Sequence, residues 1–145
     1  MSLFSTLSVS ASGMDAQRQR AEILVENLAN ADTTRTAEGG PYRRKDVVFE
    51  TSSTSSPFSS VFQSALEGEA SGVSVSQVLT DTRPPDRRYM PGHPDADKDG
   101  YVAYPRVNPA EDMVDLLGAS RGFEANVAAM GAVKDMIQRS IDLLK

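Results

Sequence analysis

Hydrophobic positions recur at alternating steps of three and four through residues 108–145: Met113, Leu116, Ser120, Phe123, Val127, Met130, Lys134, Ile137, Ile141 and Leu144. Eight of these ten positions are large and apolar, which is the period-3.5 stripe of a helix packed lengthwise against another helix. The start of the helix is marked as well. Asn108 suits the cap, Pro109 the first helical position, and Glu111 sits three residues beyond the cap. No stop signal follows, so the pattern predicts a helix running to Lys145, about 55 Å long at ~1.5 Å per residue. On the opposite face Gly118, Gly122, Ala125, Ala129 and Ala132 repeat with similar spacing. Small residues there let a neighbouring backbone come close, so the helix is predicted to be packed on two sides. Gly118, Gly122 and Gly131 each weaken it by about 1 kcal/mol relative to Ala. Such a helix is marginal alone.

The other end of the chain repeats the theme. Phe4, Leu7, Ala11, Met14, Ala21, Val25 and Leu28 share a 3/4-spaced stripe interrupted only by Arg18, and Leu24 widens it. Asn30, Asp32, Thr33 and Thr34 end it in turn-forming residues. The two terminal helices are predicted to pair as a coiled-coil-like stem, with further copies around them. The middle of the chain alternates differently. Strands are predicted over 42–50, from Val73 to Val78, over 87–90 and over 101–104, the last two around a Pro/Gly/Asp turn. Residues 51–56 are a Ser/Thr-rich loop, 56–66 a short helix, and 67–72 a linker. The expected class is therefore α+β: residues 1–34 form an N-terminal helix and turn, 35–107 a small β-rich insert, and 108–145 the long C-terminal helix.

Composition narrows the chemistry. The 145 residues include no Cys, no Trp and one His, which removes disulfides and thiolate catalysis. A net charge of −5 argues against nucleic acid as a partner. No apolar run approaches the ~18 residues that would span a bilayer, and the weakly apolar, Ser-rich N-terminus lacks the basic residues of a cleaved signal. Asp95, Asp97 and Asp99 followed by Gly100 imitate the start of a calcium loop, but position twelve is Arg106 rather than Glu. A polar hairpin turn is the expectation, with a calcium-binding interaction module as the alternative. His93 lacks the partners of a triad, and the chain carries no phosphate-binding glycine loop or zinc-protease signature. The Arg43-Arg44-Lys45 run reads as a solvated or subunit-facing strand end. No enzyme and no cofactor are expected. The interaction residues are those of the stripes and the small face: Phe4, Leu7, Met14, Val25 and Leu28 in the first helix, with Met113, Leu116, Gly118, Gly122, Phe123, Val127, Ala129, Met130, Ile137, Ile141 and Leu144 in the second.

Several segments carry a family resemblance. Residues 12–18 (SGMDAQR), 27–32 (NLANAD), 40–45 (GPYRRK) and 100–102 (GYV) are similar to flagellar basal-body rod proteins, the NLANAD segment also to the wider family of flagellar axial proteins. Residues 91–97 (PGHPDAD) and 119–127 (ASRGFEANV) narrow the likeness to basal-body rod proteins of the proximal rod. The resemblance implies a subunit whose terminal helices line a helical tube and whose β-rich domain points outward, in a shaft that carries motor torque across the periplasm. It also implies assembly with copies of itself and other flagellar rod proteins, contact with basal-body ring or adaptor proteins, and passage through the flagellar export apparatus without a cleaved signal peptide.

Overall fold

The computed structural model describes residues 3–53 and 71–143. Its elements are α1 (Leu3–Ala29), β1 (Lys45–Ser53), β2 (Ser71–Thr80), β3 (Asp86–Tyr89), β4 (Tyr101–Tyr104) and α2 (Pro109–Asp142). Two long terminal helices enclose two small antiparallel sheets, β1–β2 and β3–β4, so the class is α+β as the pattern implied.

The caps follow from local chemistry. Asn108 accepts a hydrogen bond from the Ala110 N–H at 3.2 Å, and Pro109 opens the helix. Asp142 is the last helical residue and Leu143 caps it. Lys145 and Leu144 lie outside the described residues, as does the short helix expected over 56–66.

The first strand starts later than the pattern suggested. Tyr42 donates its N–H to the Thr33 carbonyl at 3.0 Å and so belongs to the loop leaving α1. Pairing begins at Lys45 opposite Thr80 and runs on to Ser53 opposite Ser71. Residues 51–53 and 71–72, expected in loop and linker, are strand, because the ladder satisfies their backbone whatever their polarity. A register shift between Val48 and Phe49 bends the ribbon.

The helices run antiparallel. An added Cβ on Gly13 would stand 3.0 Å from the Asn126 amide nitrogen, and one on Gly122 would stand 3.3 Å from the Gln17 side chain. Arg20 reaches Asp115 at 3.3 Å. Rising numbers on α1 thus meet falling numbers on α2. The residues between the helices are mostly polar or small, Ser10, Gly13, Gln17 and Arg20 against Asp115, Ala119, Gly122 and Asn126, with the buried Leu24 and Val133 continuing the same spacings. The terminal helices pair with the predicted stripe turned partly outward: Leu7, Met14, Leu28, Leu116, Met130 and Ile137 are half-buried. Met113, Phe123, Val127 and Ile141 on α2, and Phe4 and Val25 on α1, are exposed. A one-position rotation of the helix is enough to exchange one stripe for the other.

The remaining core is thin. Among the described residues seven apolar side chains are buried, Leu24, Val102, Tyr104 and Val133 being the larger aliphatic and aromatic examples beside Tyr42, while seventeen large hydrophobic ones are exposed. That ratio is the reverse of a self-sufficient small domain.

Candidate assembly surface

Two regions of the stem matter: the junction that fixes the insert to both helices, and the apolar faces left outside. At the junction Asn27 is fully buried. Its amide donates to the Lys45 carbonyl at 2.8 Å and accepts the Lys45 N–H at 2.9 Å, as a neighbouring strand would. The Tyr42 hydroxyl donates to the same Asn27 oxygen at 2.9 Å. Burial, then the nearby Glu26 carboxylate, pushes the Tyr42 hydroxyl up to about 12. Asn27 therefore ties the end of α1 to the start of β1 and to the loop before it.

Arg44 makes the second tie. Its guanidinium lies 2.9 Å from Asp112, which is 1 % exposed at the start of α2. Burial raises the Asp112 carboxyl above its ordinary value, and the Arg44 charge only partly offsets this. Lys45 pairs with Glu26. The basic run thus departs from the solvated or subunit-facing strand end expected of it. Arg44 and Lys45 are consumed inside the chain, because both helix ends present carboxylates to them, and Arg43 alone stays exposed.

The sheet β1–β2 lies on a second side of α1. The Val73 N–H donates to the Ser12 hydroxyl at 3.1 Å, and Ala16 is buried at 2 % exposure. With α2 on one side of α1 and the sheet on another, the apolar stripe is what remains.

That stripe holds the residues singled out in the sequence. On α1, Phe4 is 75 % exposed and Val25 is also open, while Leu7, Met14 and Leu28 are half-buried. On α2, Met113, Phe123, Val127 and Ile141 are exposed, and Leu116, Met130 and Ile137 are half-buried. Gly118 has open space beside it and Ala129 is exposed, whereas Gly122 is turned to α1. Leu144 is outside the described residues. Val114, Leu117 and Met136 extend the exposed face and were not singled out, since they fall beside the 3/4 stepping rather than on it. Their apolar character next to stripe positions was the available signal.

The acidic turn is occupied by its own bonds. Asp95 accepts from the Thr34 hydroxyl at 2.8 Å. Asp97 accepts from the N–H groups of Asp99 and Tyr101 and pairs with Arg87 at 2.9 Å. Among the described residues no three carboxylate, imidazole or thiol groups converge as a cation would need. His93 accepts from the Asp95 N–H at 3.1 Å and lies edge-on to Tyr104, a structural position in the turn. No described helix is long and apolar enough to cross a membrane.

Comparison with known proteins matches this architecture at both ends. The family described as "Flagella basal body rod protein" matches residues 7–35, and "Flagellar basal body rod FlgEFG protein C-terminal" matches residues 98–143. Among relatives, the flagellar basal-body rod protein FlgC of Bacillus subtilis strain 168 is 41% identical over 152 aligned residues, covering 100% of both chains. The FlgC of Borreliella burgdorferi is 37% identical, covering 100% of this chain and 99% of its own. That of Salmonella typhimurium strain LT2 is 35% identical, covering 99% and 98%. Likeness of this extent spans the helices and the insert together, and the chain belongs to the FlgC family of flagellar basal-body rod proteins.

Proposed function

We propose that the chain is a non-enzymatic structural subunit of the proximal rod of the bacterial flagellum, in the periplasm, assembled through the outward apolar faces of α1 and α2. One observation carries the reading. The helix pair spends its polar, small-residue seam on itself and keeps its large apolar residues, Phe4, Met113, Leu117 and Val127 among them, for something else. Apolar area removed from water stabilises by about 25 cal/mol per Å², so neighbours that cover these faces supply the stability that the isolated subunit lacks. Copies of the chain and other rod proteins are the partners, with basal-body ring or adaptor proteins next to them. Helical stacking of such subunits around an axis makes a tube, and the junction at Asn27, Arg44 and Asp112 transmits load from insert to stem. Delivery through the flagellar export apparatus suits a subunit whose helices are completed by their neighbours.

The test is to place charge on the outward face where the chain's own packing is indifferent. Leu117→Glu and Val127→Glu are expected to leave a soluble protein of normal helix content that is missing from isolated basal bodies, in cells that do not swim. Normal incorporation and normal swimming with both changes would remove the proposed interface.

A further inference from the structure

One concentration of charge is only partly used by the stem. Residues 39–44, Asp81, Arg83, Pro85 and Arg106 line a cleft of about 100 Å³ at the base of the β3–β4 hairpin. Besides Arg44, which is committed to Asp112, three exposed guanidinium groups border it. Arg83 is engaged by Asp81 at 2.6 Å, a contact that holds the Asp81 carboxyl down to about 2 and fixes the arginine in place. Among the described residues Arg106 has one long ion contact, 3.8 Å from Asp86. Arg43 donates weakly to the Asp81 carbonyl at 3.4 Å and, among the described residues, has no ion pair. In a chain of net charge −5 this is a local excess of positive charge with unused donors. Planar guanidinium forks select carboxylates, and a cleft of this size admits one side chain rather than a helix.

The other end of the same hairpin has the complementary chemistry. The rung Tyr89–Tyr101 closes the sheet, its rings 5.4 Å apart and edge-on. Tyr89 is 66 % and Tyr101 40 % exposed. The turn that follows is rigid, because Asp97 takes the N–H groups of Asp99 and Tyr101. Gly100 has φ +79° and no room for a Cβ, which would lie 2.9 Å from the Tyr89 ring. The Asp99 side chain is exposed and, among the described residues, unpaired. Tyrosine is a favoured anchor in protein contacts and stacks on guanidinium groups.

We propose that the arginine cleft of one copy receives the Asp99-bearing tip of the β3–β4 hairpin of the next copy. Tip and base are the two ends of a four-residue ribbon, three rungs or roughly 10 Å apart, so a single copy does not close its tip on its own base. Tip-to-base docking between copies is head-to-tail. Such a contact repeats without closing on a two-fold axis, which is what an open helical arrangement requires. The inference rests on the proposed assembly of copies and adds to it a contact made by the insert rather than by the stem.

The chain has no cysteine, so a disulfide between copies can be read against no background. Arg43→Cys and Asp99→Cys are introduced together, and basal bodies are isolated and oxidised. A ladder of covalent multimers is expected with the pair and none with either single variant. Basal bodies that contain the chain but yield only monomer, or only a conjugate with a different protein, overturn the contact while leaving the stem interface standing. A chain absent from basal bodies even as wild type removes both. Where the cysteine pair fails to incorporate, charge reversal decides. Arg43→Glu and Asp99→Arg are each expected to lower incorporation about tenfold, the ratio set by about 1.4 kcal/mol. Together they are expected to restore it to within about twofold of wild type. Absence of rescue in the double variant contradicts the proposal.

Discussion

The inner and outer surfaces of the helix pair are built on opposite rules. Between α1 and α2 lie Gly13 against Asn126, Gln17 against Gly122 and Arg20 against Asp115, a seam of small and polar groups. Outside lie Phe4, Val25, Met113, Val114, Leu117 and Val127. In a free-standing coiled coil the order would be reversed, with the large apolar residues inside. The inner contact is close and specific and rests mainly on small and polar groups, while the outer face exposes large apolar side chains among the described residues. A seam of this kind sets how the helices align, and the outer stripe sets how much stability neighbours can add.

The largest way to break that contrast is at Asn27. Asn27→Ala leaves the Lys45 N–H and carbonyl and the Tyr42 hydroxyl without their buried partner. It is expected to destabilise the chain by about 4 kcal/mol, on the scale of one to three per stranded group, as read from urea unfolding. Next comes a close approach of the helices. Gly13→Leu has no space against Asn126 and is expected to cost about 2 kcal/mol; an unchanged unfolding midpoint would show that the helices do not meet there. The third is a titration. Tyr42 is held neutral, with its hydroxyl pushed up to about 12 from 10.0. Its contribution to stability is therefore complete below about pH 10 and is lost as the pH rises from about 10 to about 12. Tyr42→Phe is expected to remove that alkaline fall in melting temperature. The smallest effect sharpens the outer surface. Gly118 has nothing within 4 Å, so Gly118→Ala is expected to stabilise the isolated chain by up to about 1 kcal/mol, while Gly118→Gln leaves the isolated chain folded and impairs assembly wherever a neighbour's backbone packs on that face.

Periodicity made much of this legible. Both long helices, the α+β arrangement and the short strands around 87–90 and 101–104 follow from spacing and turn residues, and the cap at Asn108 from side-chain chemistry. The apolar stripes are real, yet their spacing does not say whether the covering helix belongs to the same chain or the next. Steps of three and four are shared by every stripe on a helix, and Asp112–Ala119–Asn126–Val133 has the same period as Met113–Ser120–Val127–Lys134. The decisive information sat in residues that look unpromising on a core-facing stripe. Gly13 admits Asn126, and Asp112 waits for Arg44, an ion pair spanning 68 positions that no local pattern reveals. Asn27 reads as an ordinary turn-adjacent residue until Tyr42 and Lys45 are seen around it.

The account is tested most directly by labelling single cysteines placed on the two surfaces, at Ala119 inside and Val127 outside, in the free chain and in isolated basal bodies. The prediction is that Val127→Cys reacts rapidly in the free chain and becomes protected on assembly, while Ala119→Cys is protected in both states. Equal reactivity of the Val127→Cys thiol before and after assembly, or rapid labelling of Ala119→Cys in the free chain, contradicts the division of the helix pair into a closed inner seam and an outer adhesive face.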